Sequence, residues 1–383
     1  MDVKEYIYCP CCNDIVGNQP VFQNLKCPVI NNVVYDSVNE AHDCLTGKIT
    51  LIQCSKCGFI FNMDYDKNKI IYDSSYDNAR NYSNVYQNYL DHIVNIFSQY
   101  ISEKSTVLEV GCGNGDFITR LSDNTGCNAF GYDKSYEGNP IYKKKVFFHK
   151  SDYYPECVEK TFSTLILRHV LEHIPEPYDF IRFFIGKSLT KNAIIIIEVP
   201  NFKWIRERGT FYDITYEHCN YFSHHSLSVL ANRAGFYIES ILDVFDGQYL
   251  LLLGRYTGSQ IDVEGNITAI EDLTSIFKAV KSKILKSINL AENVAVWGAS
   301  GKGVVFLSML SDELLQKIKY VIDINPSKQG KYLPVSAKKV DPPEVLTQVK
   351  ENLVIIVMNR NYIKEIRNIL EKMGVKASLI NAY

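Results

Sequence analysis

The chain lacks the marks of several large protein classes. Its 383 residues carry 41 basic and 43 acidic side chains, a formal net charge of -2, so no polybasic footprint points to bulk binding of nucleic acid or of an anionic membrane. Apolar stretches such as residues 193–197 and 249–253 have strand length and fall far short of a membrane-spanning helix. The N-terminus, MDVKEYIYCP, has no hydrophobic signal region. Together these absences lead us to expect a soluble, cytoplasmic protein acting on a small molecule, as a monomer or homodimer, with no nucleic acid and no membrane partner. With 46% hydrophobic residues, the chain is too long for one ordinary core, and two or three domains are expected.

What is present begins with residues 106–120, TVLEVGCGNGDFITR. Val107, Leu108 and Val110 predict a buried strand, and the turn from Gly111 through Gly113 to Gly115 opens a helix. A strand, a glycine turn and a helix N-terminus present bare backbone N–H groups and a positive dipole end to a ligand. A dinucleotide fingerprint would have its third glycine where Asp116 stands, and a carboxylate there repels a pyrophosphate. A cofactor with an adenosine, an amino-acid tail and no phosphate escapes that repulsion, as S-adenosylmethionine does. In a doubly wound sheet the next two strand ends fall along the same crevice. Asp133 is there to accept from the ribose hydroxyls and Asp152 from the adenine amino group, while Glu109 sits beneath the turn. An acid followed by GxGxG resembles the first motif of the class I S-adenosylmethionine-dependent methyltransferases.

Eleven cysteines, an odd number, suit thiolate ligation in a reducing compartment better than a disulfide framework. Cys9-Pro10-Cys11-Cys12 and Cys54-Ser55-Lys56-Cys57 are two CxxC knuckles. Two such turns build a closed, structural tetrahedral zinc site, for which Cys9, Cys12, Cys54 and Cys57 are the expected ligands. Cys11, Cys27, His42 and Cys44 stand by as substitutes. Neither knuckle opens a predicted helix after a strand, which argues against redox chemistry.

Catalysis is expected at the carboxyl ends of the fourth and fifth strands. There the chain reads Arg168-His169-Val170-Leu171-Glu172-His173, then Glu198-Val199-Pro200-Asn201, and further on Thr215-Tyr216-Glu217-His218. Arg168 is assigned to the cofactor side, and His169 and Asn201 to the substrate side. His169 and His173 are four apart, but no glutamate directly follows the first histidine, so the zinc-protease pattern is absent and no catalytic metal is expected. Near the C-terminus, residues 293–297 predict a strand running into Gly298-Ala299-Ser300-Gly301-Lys302-Gly303 and a helix, a phosphate-friendly turn. It is no Walker A loop, because Gly303 stands where magnesium would need Ser or Thr.

The zinc knuckles, EVGCGNGD, HVLEHIP, EVPN, YEHCNYFS and a C-terminal glycine-lysine turn, in that order, resemble the nucleotide-sugar C-methyltransferases, which methylate C3 of a 4-keto-deoxysugar. The resemblance implies an α/β protein with a seven-stranded doubly wound methyltransferase sheet, a small N-terminal zinc-binding domain and a C-terminal Rossmann-like domain. The expected boundaries are 1–68, 69–256 and 257–383. It implies that the tyrosine-rich stretch before the core covers the cofactor, so that Tyr72, Ser75 or Tyr76 reaches the methionine end or the substrate. It further implies that Glu217, His218 and His173 are catalytic. His218 is the favoured base, Glu217 orients it or takes a proton itself, and His173 or Tyr216 holds an enolate oxygen. Thr215 stands where the family has a tyrosine, so methylation of oxygen or nitrogen stays open beside carbon. Lys302 is a candidate contact for a substrate diphosphate. A zinc-ribbon protein that binds or modifies RNA is the reading from another class, and it calls for a basic groove.

Overall fold

The computed structural model describes residues 7–71, 76, 82–153, 160–185, 187–260, 267, 269, 273–349 and 351–383. Its central sheet grows from runs of β-branched and leucine residues. The strand order is Phe236–Val244, Tyr249–Tyr256, Leu189–Pro200, Phe162–Arg168, Thr106–Val110, Asn128–Tyr132, Val146–His149 and Ile141–Tyr142. Neighbours from Leu189–Pro200 across to Val146–His149 run parallel, and Tyr249–Tyr256 runs antiparallel to both of its neighbours. Ile195, Ile196 and Ile197 are all fully buried, which requires cover on both faces of the sheet. Seven strands are the expected ones. The eighth, Ile141–Tyr142, pairs antiparallel with Val146–His149 through a turn in which Lys143 and Lys144 have φ of 47° and 58°. A two-residue strand is too short to display an alternating pattern.

Register brings the strand ends level. Leu167 pairs with Val110, Arg168 with Glu198, and Val110 with Tyr132, so the segments after Val110, Tyr132 and Arg168 open onto one edge. The glycine turn follows the first of these. Gly111 and Gly115 have φ of 72° and 81°, and a Cβ at either would lie 2.6 Å from Val170 or 2.5 Å from Phe148. Only glycine fits both the dihedral and the approach. The helix Asp116–Thr125 then buries Phe117, Ile118 and Leu121 and ends on left-handed Gly126.

Among the described residues three further sheets accompany this one, the smallest being the antiparallel pair Ile7–Tyr8 and Ile15–Val16. Near the N-terminus the order is Asn220–Tyr221, Ile60–Asn62, Thr46–Gln53, Phe22–Pro28. Its first strand comes from far along the chain, so the segment holding Glu217 and His218 is tied to the N-terminal sheet. The C-terminal sheet is wholly parallel, in the order Val340–Asp341, Ile318–Ile322, Asn293–Trp297, Leu353–Val357, Ser378–Asn381. One buried cluster joins the two, with Phe22, Ile49, Tyr216, Phe277 and Val296 among its members. Among the described residues no helix is long and apolar enough to cross a membrane.

Candidate active site and metal cluster

The two knuckles converge. Cys9 follows the strand Ile7–Tyr8, Cys54 follows Thr46–Gln53, and tight turns bring up Cys12 and Cys57. The four sulfurs lie within 4.8 Å of one another, with Cys9 to Cys57 and Cys12 to Cys54 both at 3.6 Å. Four thiolates about 2.3 Å from one zinc ion are about 3.8 Å apart, so the cluster fits zinc and has no place for a fifth ligand. Cys11 Sγ donates to the Ser226 carbonyl at 3.5 Å.

At the open edge of the central sheet lies a cleft of about 660 Å³ that includes Glu109, Gly111, Gly113, Asp133, Asp152 and Arg168. Asp133 and Asp152 thus share one pocket. The Asp133 Oδ2 accepts from the Gly113 amide at 2.8 Å, and Oδ1 accepts from the Ser135 amide at 2.8 Å. Asp152 pairs with Lys134 at 2.8 Å. Glu109 is 1% exposed, and its Oε2 has no hydrogen-bond partner. Burial pushes its carboxyl up to about 8, with Arg168 pulling the other way. A buried acid with a spare oxygen beside a glycine turn suits a cationic ligand. Gly115 packs on Phe148 and shapes the turn without lining the cleft.

Beneath the cleft, Glu198 gathers a buried network. Its Oε2 accepts from Arg168 Nε at 2.7 Å, its Oε1 accepts from the Tyr89 hydroxyl at 2.7 Å, and His169 Nε2 stands 3.0 Å from Oε1. Burial opposes ionisation of Glu198, but Arg168 and His169 together outweigh it and hold the carboxyl well below its usual range. For His169, burial favours the neutral ring, while Glu198 and Glu172 outweigh it and raise its pKa. His169 has a φ of 54°, a strained backbone that persists where its surroundings over-determine it.

A second cavity, about 270 Å³, meets the first at Tyr76, His169 and His173. One wall holds Glu172, His173, Thr215, Glu217 and His218, and the far end reaches Gly298, Gly301 and Lys302 at the carboxyl ends of the C-terminal sheet. Glu217 is 3% exposed. Its Oε2 accepts from Asn31 twice, from the amide at 3.0 Å and from Nδ2 at 2.9 Å, while Oε1 accepts no hydrogen bond. Burial raises its pKa against the pull of His173 and Asn31. The His173 and His218 rings meet edge to face at 4.9 Å. Lys302 pairs with Asp213 and lies over the Trp204 ring.

The expected site residues do not all meet. Tyr216 is fully buried outside both cavities, its ring filling the space beside Gly47 and its hydroxyl accepting from the Asp66 amide at 2.9 Å. It neighbours Glu217 in sequence, yet the chain turns it to the opposite side. Asn201 is also outside. It caps the helix Phe202–Arg208 through Oδ1 and donates from Nδ2 to Asp243 and to the Gly247 carbonyl. Arg168 borders the cleft while committed to Glu198 and stacked on Phe117, 4.2 Å from the ring centroid. Tyr72 and Ser75 lie outside the described residues. Asn31 has no sequence signal, because an asparagine between two cysteine knuckles belongs to no motif.

Residues 82–241 match the family model of a methyltransferase domain, and residues 269–379 match that of a C-methyltransferase C-terminal domain. No curated protein matches the chain. Similar solved structures include an S-adenosylmethionine-dependent methyltransferase of Methanosarcina mazei, 17% identical over 42% of this chain and 96% of that one, with a TM-score of 0.33. The 1,6-didemethyltoxoflavin N1-methyltransferase of Burkholderia thailandensis is 15% identical over 45% of this chain and 81% of its own, with a TM-score of 0.35. The magnesium protoporphyrin IX methyltransferase of Synechocystis is 15% identical over 45% and 84%, with a TM-score of 0.34. At such scores these likenesses carry no weight beside the family models.

Proposed function

Since the chain is an S-adenosylmethionine-dependent methyltransferase with a C-methyltransferase C-terminal domain, we propose that it methylates a ring carbon of a nucleotide-linked keto-deoxysugar. The observation that carries this reading is the second cavity. It runs from Glu217 and His218, next to the cofactor cleft, to Lys302 and the helix start at Gly301. An elongate acceptor with an uncharged reacting end and an anionic tail matches those two ends, since a lysine and free N–H groups at a helix start receive a diphosphate.

The glycine turn, Glu109, Asp133 and Asp152 hold the cofactor in this reading, with Tyr76 between the two cavities. Bound there, S-adenosylmethionine supplies an electrophilic methyl group on sulfur and leaves as S-adenosylhomocysteine. A carbon next to a ketone must lose a proton before it can take that methyl. Glu217 takes that proton in this reading. Asn31 holds one oxygen, and burial has raised its affinity for a proton against the pull of His173, Asn31 and Tyr76. His218 lines the same wall of the cavity. The electron pair left by the proton moves onto the ketone oxygen, which falls on the His173 side of the cavity. Residues 1–68 then serve as a zinc-stiffened wall that sets Glu217 through Asn31, residues 69–256 as the methyl-transfer unit and residues 257–383 as the holder of the anionic tail. A cytoplasmic location accords with the thiol cluster.

Incubation with methyl-13C cofactor and a panel of nucleotide-linked 4-keto sugars tests the proposal. Carbon-13 NMR is expected to find the label on a ring carbon. Label on oxygen or nitrogen, or equal turnover of sugars without the nucleotide, overturns it.

A further inference from the structure

We propose that Glu172, His173 and His218 form a second metal centre, a divalent-cation site at the inner end of the acceptor cavity. One donor atom from each, a carboxylate oxygen and two ring nitrogens, lies within 4.8 Å of the others. That spread approaches the ~3–3.5 Å separation of donor atoms sharing one ion at about 2.1 Å. All three residues line the cavity.

The cluster is built by the backbone. Glu172 and His173 belong to the short helical turn Leu171–His173 after the fourth parallel strand, and His218 arrives from a loop more than forty residues later. Three contacts staple that loop to the turn. Asn220 Nδ2 donates to the Leu171 carbonyl at 3.2 Å and to the Ile174 carbonyl, and Cys219 Sγ donates to the Glu172 carbonyl at 3.4 Å.

The charge distribution calls for a cation. Glu172 is 1% exposed; its Oε1 has His169 Nδ1 as an ion-pair partner at 3.4 Å, and its Oε2 accepts no hydrogen bond. A buried carboxylate is ordinarily saturated with donors or paired. Glu217 adds a second buried carboxylate on the same wall with an oxygen that accepts nothing. Arg168 is paired with Glu198 and makes no ion pair with either one among the described residues. A dication among the imidazoles balances both acids.

The donor set selects the ion. Two imidazoles and a carboxylate, with no thiolate, suit Zn2+, Co2+, Mn2+ or Fe2+ better than the all-oxygen cations. Three protein ligands leave coordination positions open toward the cavity. Resting on the proposed carbon methylation, the cation faces the acceptor's ketone oxygen. It stabilises the charge that arrives there as Glu217 takes the C–H proton.

Full-length protein with its cysteine cluster already filled by zinc is titrated with Co2+, and bound metal and the visible spectrum are measured. The wild type is expected to take one further equivalent, with weak d–d bands and no added thiolate-to-cobalt charge transfer. Glu172→Gln, which keeps the shape of the side chain, and His218→Ala are each expected to weaken that binding by more than about tenfold. Both should retain the zinc and bind S-adenosylhomocysteine, which reports a folded chain. The site is refuted if the wild type takes no further cobalt, if the added cobalt shows thiolate charge transfer, or if Glu172→Gln binds it as tightly as the wild type. No acceptor enters the experiment, so a failure here leaves the proposed acceptor standing. A failure of the acceptor panel equally leaves the cobalt spectrum to be judged by itself.

Discussion

Replacing Glu109 by glutamine should make the protein more stable at neutral pH, by an amount that depends on pH. Burial lifts the carboxyl of Glu109 from its ordinary 4.5 to about 8. Between those values the folded chain keeps a proton that the unfolded chain has released. Stability therefore falls as pH rises through this window. Glutamine matches the shape of the protonated acid and does not titrate, so the variant escapes the fall. With about 1.4 kcal/mol for each pH unit above 4.5, the expected gain is roughly 3 kcal/mol at pH 7 and under about 1 kcal/mol at pH 5. Urea denaturation of wild type and Glu109→Gln at pH 5, 6 and 7, without cofactor, measures the difference. The same variant should bind S-adenosylmethionine more weakly, because the amide cannot neutralise a cationic ligand, and calorimetry follows that loss. A stability gap that stays constant from pH 5 to pH 7, or that reverses sign, refutes the assignment of Glu109 as a buried acid strained by desolvation.

Asp133→Ala removes the carboxylate that accepts from Gly113 and Ser135. It should lower affinity for S-adenosylhomocysteine by at least about tenfold, as the loss of one or two charged hydrogen bonds does; unchanged calorimetric affinity would place the cofactor elsewhere. Zinc is expected at about one ion per chain in the cysteine cluster. Cys54→Ser should lose it and open the N-terminal residues to trypsin at Lys48 and Lys56, whereas unaltered metal content would remove Cys54 from the ligand set. Glu365 accepts from the Ser83 hydroxyl and from the Asn84 amide at 2.9 Å, holding the start of the helix Asn84–Ser98 from the C-terminal part of the chain. Glu365→Ala should cost about 1–2 kcal/mol and speed hydrogen exchange in the first turn of that helix, an effect absent if the contact is incidental.

Local chemistry made much of the molecule legible. Residues 106–120 declare a strand, a turn and a helix because β-branched residues, glycines that tolerate φ near +75° and an amphipathic run each act within a few residues of themselves. The CxxC pairs declare a four-cysteine cluster able to hold a metal, because thiolate ligands come in close pairs. The parallel strands and the closing hairpin are readable from their apolar runs, while the two-residue strand Ile141–Tyr142 is below what a pattern can show. Tertiary structure alone decided which side chains share a cavity. Tyr216 and Glu217 are neighbours in sequence, yet one is packed against Gly47 and the other faces His173. That outcome depends on how Asn220–Tyr221 pairs with Ile60–Asn62, a contact between segments about 160 residues apart that no local propensity encodes. The same segment meets Asn31 through Glu217 and, through Cys219 and Asn220, the turn that carries Glu172. Strand pairing over such distances is chosen by the burial of whole faces, so the functional neighbours it creates become visible only when the faces are brought together.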